Sequence, residues 1–170
     1  MTNDRFSLAL DNGRYAKVTT TWKTEPRLDL REWTVGDDKM LPTKKGISLK
    51  LHHIKTLSSF LESIQKTLEE KGGNKWHLGY NVHAIVKEGN PCVDIRQFWV
   101  PPGDDESVPT KRGLCLRPAE YHNLTKHWSE IENHLPELKD FVLCYDGNDH
   151  LNQIGMLRCP ACNPEGHEHW

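Results

Sequence analysis

The chain repeats itself, and that constrains its fold more than any other property. Residues 26–34 read PRLDLREWT and residues 91–99 read PCVDIRQFW. A shift of 65 places Pro26 on Pro91, Asp29 on Asp94, Arg31 on Arg96 and Trp33 on Phe98, and it carries Tyr15 onto Tyr80. A little further on, PTKKGISL (42–49) meets PTKRGLCL (109–116) at a shift of 67, the difference being absorbed in the loop PPGDDES. The segments that follow also agree. Ile54, Leu57, Leu61, Ile64 and Leu68 recur at the same steps of three and four as Tyr121, Leu124, Trp128, Ile131 and Leu135. Such steps draw an apolar stripe down one side of an α-helix. Self-similarity of this kind means one supersecondary unit present twice.

Within each unit the residues before the helix alternate as strands do. TTTW (19–22) and RLDLREW (27–33) flank a Thr-Glu-Pro turn; HAIV (83–86) and CVDIRQFWV (92–100) flank Glu-Gly-Asn-Pro. A last short strand, GISL or GLCL, leads into each helix, and Pro118 suits the first turn of the second one, where no amide donor is lost. The fold class expected is therefore α+β: two tandem units, each a curved four-stranded antiparallel sheet followed by one helix. The first unit is placed at 5–72, the second at 77–140, and a C-terminal extension at 141–170. A unit of roughly 65 residues is marginal alone. Packing the two helix stripes together would give an intramolecular pseudo-dimer.

The combination of [DI/DL]R, an aromatic, a turn and then K-[KR]-G-[IL]-x-L resembles the single-stranded-DNA-binding domain of the transcriptional coactivator positive cofactor four family. The resemblance covers residues 13–70 and, less closely, 78–138. It implies a sheet-plus-helix unit that dimerises through its helices, with the paired sheets forming a basic, aromatic-lined channel for unpaired DNA. It implies a nuclear protein that acts as a transcriptional coactivator or assists replication and repair. Here both copies lie in one chain, so the family's dimer would form within a single molecule, with further self-association of chains left open.

Gripping a single strand regardless of sequence requires cations along its backbone and flat side chains under its bases. The first unit offers Arg14, Lys17, Trp22, Lys23, Arg31, Trp33, Lys44 and Lys45; the second offers Arg96, Phe98, Trp99, Lys111 and Arg112. In the resemblance, Trp22 holds the aromatic turn position where the second unit has Lys87, and Trp99 holds the strand-end position where the first has Thr34. Trp33 falls with the charged residues of its strand, on the face opposite Leu28 and Leu30. Arg31 and Arg96 are open to two readings, phosphate contact or pairing with Asp29 and Asp94 on the same face.

Charge separates the halves. Residues 1–75 hold 14 Lys+Arg and 10 Asp+Glu, a net of +4, and residues 76–170 hold 8 and 14, a net of −6. The first unit has the stronger electrostatic footprint for nucleic acid. Two other readings use the same platform: a protein-interaction module whose strand binding has decayed, with transcription machinery as partner, and an RNA binder. The ten histidines are scattered without a nucleophile elbow, Walker loop, paired carboxylates or HExxH, so an enzyme is not expected. No run approaches the roughly 18 apolar residues of a membrane span.

The five cysteines are odd in number and follow no secretion signal, which favours reduced thiols in an intracellular compartment. In the tail, Cys159 and Cys162 with His167 and His169 form a donor set able to hold a tetrahedral zinc ion. The alternatives are a capping or unstructured tail without a cofactor, and a CxxC redox pair, which no thioredoxin-like βαβ pattern surrounds.

Overall fold

The computed structural model describes residues 3–144, 146, 159 and 161–164. The first unit runs β1 (Asn3–Asp11), β2 (Arg14–Thr20), β3 (Pro26–Val35), β4 (Met40–Leu49) and α1 (Leu51–Glu69). The second runs β5 (Asn74–Gly79), β6 (Val82–Lys87), β7 (Asn90–Trp99), β8 (Val108–Leu116), α2 (Pro118–Lys126) and α3 (Trp128–Asn133). Each unit is a four-stranded antiparallel meander, in the orders β1-β2-β3-β4 and β5-β6-β7-β8. The α+β tandem architecture expected from the repeat is the one observed.

Period-two alternation explains which face of each sheet is covered. Ala16 and Val18, Leu28 and Leu30, and Ile47 and Leu49 are buried in the first sheet. Val82, Ala84 and Val86, Val93 and Ile95, and Leu114 and Leu116 do the same in the second. These residues and the helix stripes form one continuous core shared by both units. In α1 the stripe buries Ile54, Leu57, Ile64 and Leu68, with Leu61 partly covered. In the second unit the whole stripe from Tyr121 to Leu135 is buried, although the helix is interrupted at His127 between α2 and α3.

The helices do not simply cover their own sheets. The closest sheet neighbours of α1 are β5 and β6 of the second unit, and α2 lies nearest to β1 of the first. Helix-to-helix contact runs through long side chains: the Tyr121 hydroxyl donates to Leu61 O at 2.9 Å, and the Trp128 indole N–H donates to Ser58 Oγ at 3.1 Å. This crossed packing makes each unit's core incomplete without the other. At the opposite side the sheets come together along β4 and β8.

The repeat shows up again in the hydrogen bonding. Arg31 pairs with Asp29 at 3.1 Å and donates to Thr43 O at 2.8 Å; Arg96 pairs with Asp94 at 3.0 Å and donates to Thr110 O at 2.8 Å. The register slips between Arg31 and Trp33, and likewise between Arg96 and Phe98. Each slip is bridged by a threonine hydroxyl, Thr43 to Glu32 O and Thr110 to Gln97 O. Ion pairing is thus realised at both arginines.

Gly46 and Gly113 lie under these arginines. A Cβ on Gly46 would meet Leu30 O at 2.7 Å and the Arg31 Cβ at 2.8 Å; one on Gly113 would meet Ile95 O and the Arg96 guanidinium carbon, each at 2.8 Å. Close approach, not backbone conformation, excludes a side chain here. Gly46→Ala is therefore expected to cost roughly 1–3 kcal/mol, as overpacking does, measured as a lower urea midpoint with an unchanged m-value.

One correspondence drawn from the sequence is corrected. Tyr15 lies opposite Arg31, and the residue opposite Arg96 is His83, so Tyr15 corresponds to His83 and not to Tyr80. The turn between β2 and β3 occupies residues 21–25, whereas only Glu88 and Gly89 join β6 to β7. A shift of 65 therefore holds only after that turn. The same length difference leaves Trp22, in the longer turn, without a counterpart: Lys87 ends β6, paired with Asn90.

Candidate nucleic-acid interface

Where the first and second sheets meet along β4 and β8, their outer faces enclose a groove of about 780 Å³. Alternation puts Arg27 and Arg31 of β3, and Lys44 and Ser48 of β4, on this side of the first sheet. Lys50, at the N-terminal cap of α1, completes the first unit's cations, and Lys111 and Arg112 of β8 enter from the second unit. Six cationic side chains converge, and no aspartate or glutamate lines the groove among the described residues. Two of the six are partly neutralised from behind, Arg31 by Asp29 and Arg27 by Glu25 at 2.5 Å.

His53 also lines the groove. Burial holds its imidazole down to about 3, and the Lys50 and Arg27 charges push the same way. It is neutral at pH 7, with Nδ1 accepting from the Lys50 backbone N–H at 3.0 Å. Tyr80 supplies the groove's aromatic ring, with the Lys50 ammonium 5.3 Å from its centroid. Burial, then the Cys144 and Cys159 thiols, raise its phenol above the ordinary value.

A second recess of about 240 Å³ adjoins on the first sheet, sharing Thr21, Arg27, Arg31 and Ser48 with the groove and adding Lys17 and Trp33. The Lys17 ammonium sits 3.8 Å from the Trp33 ring centroid and 3.5 Å from Asp4. The Trp33 indole N–H is buried without a hydrogen-bond partner among the described residues. Trp33 is half-buried on the charged side of β3, one face of its ring covered by the Lys17 ammonium.

The other expected site residues divide. Trp22 is 74% exposed, with Lys23 4.9 Å from its ring centroid, and Trp99 is 54% exposed at the end of β7. Neither indole lines the groove, although each follows or nearly follows a residue that does, Thr21 and Gln97. Lys45 is exposed beside Lys44 but does not line the groove. Arg96 is engaged by Asp94 and Thr110, outside the groove.

Two residues are corrected. Phe98 is only 9% exposed and so presents no free ring. It lies outside the core cluster, covered on the outer face of the second sheet by His83 at 5.0 Å and by the Lys75 ammonium at 4.5 Å. Arg14 does not face the groove: it crosses to the second unit, bonding Cys115 O and pairing with the fully buried Glu120 at 3.1 Å. Isolated sequence position could not reveal that partner 106 residues away. Conversely, Arg27, Ser48 and Lys50 were missed, though the parity of Arg31 and Lys44 points to the first two. In the tail, Cys159 and Cys162 are buried, while His167 and His169 lie outside the described residues.

Two sheet-and-helix units share one core and close a cationic groove between their sheets, which makes the chain an intramolecular pseudo-dimer. Residues 8–60 and 79–127, together more than half of the chain, match the family model of Transcriptional Coactivator p15 (PC4). The chain belongs to that family, with its domain present twice in tandem. A similar relative is the RNA polymerase II transcriptional coactivator KIWI of Arabidopsis thaliana, 43% identical over 49 residues, which span 29% of this chain and 46% of that protein. No solved structure matches the chain.

Proposed function

We propose that the groove between β4 and β8 binds unpaired nucleic acid, single-stranded DNA foremost, with little sequence preference. By family membership the chain would serve as a nuclear transcriptional coactivator or in replication and repair. It would act by binding, without a catalytic step. The observation that carries this reading is the convergence of six cations from both units on one groove whose lining contains no carboxylate among the described residues. A phosphodiester chain laid along it exchanges its condensed counterions for fixed protein cations. Tyr80 and Trp33 offer faces on which bases stack without regard to identity.

Polarisation titrations of labelled oligo-dT, its duplex and oligo-rU at two salt concentrations test this. Single strand is expected to bind more tightly than duplex, and affinity to fall steeply with salt. Should all six cations engage phosphates, the log–log salt slope would be about −4, at roughly 0.7 per contact for single strands. Equal affinity for duplex and single strand would overturn the reading; preference for oligo-rU would reassign the ligand to RNA; no binding at low salt would favour a protein partner.

A further inference from the structure

Among the described residues, the C-terminal segment meets the body of the protein where the start of α1 approaches the turn between β5 and β6. Lys55 of α1 donates to Leu138 O at 3.3 Å and to Phe141 O, fixing the chain on its way to Cys144. The Tyr80 backbone N–H donates to Ala161 O at 2.7 Å, and the Asn163 N–H closes a turn onto Cys159 O at 2.9 Å. These bonds bring three buried thiols together: the sulfurs of Cys144, Cys159 and Cys162 all lie within 4.8 Å of one another.

Their spacing is informative. Cys159 Sγ is 3.7 Å from Cys144 Sγ, far beyond the roughly 2.05 Å of a disulfide. Two thiolates on one tetrahedral zinc ion, each about 2.3 Å from the metal, stand roughly 3.8 Å apart. On the other side of Cys144, His52 Nε2 lies 3.8 Å from its sulfur. His52 Nδ1 is 3.1 Å from Leu78 O, and a carbonyl only accepts, so the ring proton sits on Nδ1 and the Nε2 lone pair faces the thiol. A backbone carbonyl that fixes the tautomer of a ligating histidine in this way is the usual outer-shell arrangement of metal sites.

We propose that Cys144, Cys159 and Cys162 supply three thiolates of a zinc site that fastens the C-terminal segment to the start of α1 and the β5–β6 turn; His52 Nε2, beside the Cys144 sulfur but outside the three-sulfur cluster, turns in on metal binding as the fourth donor. Thiolate donors with one imidazole select a soft or borderline cation of tetrahedral habit, and a closed set of four leaves no position for chemistry. On binding, the three thiols lose their protons to solvent, forming three Zn–S bonds and one Zn–N bond without any change of oxidation state. Relative to the set expected from the tail alone, Cys144 and His52 take the places given to His167 and His169.

The test uses the full chain, purified under reducing conditions, stripped with chelator and titrated with zinc alone or cobalt alone. One metal per chain is expected, with cobalt giving thiolate charge-transfer and tetrahedral d–d absorption. Cys144→Ser and His52→Ala should each weaken zinc at least about tenfold, and Cys92→Ser with Cys115→Ser, in the second sheet, should leave it unchanged. Folding of each variant is read by circular dichroism, so lost binding in a folded variant supports the assignment. Absent cobalt bands in the folded wild-type chain, or undiminished zinc affinity in Cys144→Ser, would overturn the site; undiminished zinc affinity in His52→Ala would overturn His52 as fourth donor. Strand binding is measured separately on the same samples, so the two proposals fail independently.

Discussion

Replacing Arg27, Lys44 and Lys50 together by alanine is expected to weaken binding of oligo-dT about 100-fold at 0.1 M salt, since each single-strand phosphate contact is worth roughly 0.7 log unit there. The salt slope should become shallower by about 2 in the same experiment. Replacing Lys111 and Arg112 removes only two contacts, for about 25-fold and a change in slope of about 1.4. The difference follows from the number of groove cations removed, three of the first unit's four against both of the second's. Among the exposed rings, Trp22→Ala is likewise expected to cost more than Trp99→Ala, because Trp22 is the more exposed and stands in the more basic unit. A larger loss from the Lys111 and Arg112 pair would show that the strand sits chiefly on the second sheet.

Arg14→Ala is expected to destabilise the whole chain by about 3 kcal/mol, because it strands a buried carboxylate. Glu120 is fully buried and Arg14 is its ion-pair partner, while the Arg117 backbone N–H at 2.8 Å offers a neutral hydrogen bond alone. The other carboxylate oxygen, Oε2, has no partner among the described residues. Arg14 also holds Cys115 O across the unit boundary, so the loss falls on the junction itself. Chemical denaturation monitored by tryptophan fluorescence gives the measurement. The double variant Arg14→Met with Glu120→Met should recover much of the stability, since apolar replacement of a buried pair is often neutral or better. If the single variant costs less than about 1 kcal/mol, the range of an exposed ion pair, Glu120 is solvated after all.

How much of this could be read from the residues depended on the range of the interactions. Arg31 and Arg96, the threonines after them and the glycines beneath them repeat because two adjacent strands impose the same local geometry twice, and spacing alone exposes that. Leu28 and Leu30 against Asp29 and Arg31 sorted the faces of β3 correctly. Alternation put Phe98 on the outer face with Arg96 but could not show that His83 of β6 and Lys75 of β5 cover its ring there. Tyr15 was matched to the wrong residue because the three-residue difference in the β2–β3 turn is invisible until strands are paired. Arg14, Cys144 and His52 acquire their meaning from partners about 90 or more residues away. Nothing in local pattern encodes such pairings; they are products of the crossed packing.

That crossed packing has a thermodynamic corollary. Only residues 70–73 separate α1 from β5, so each half meets the other at the effective concentration of a very short tether, on the order of millimolar. Assembly of the pair is thus a unimolecular event, and its midpoint does not drift with dilution as that of a two-chain dimer must. Tethering also frees the halves from identity, since a substitution in one no longer appears twice across the seam.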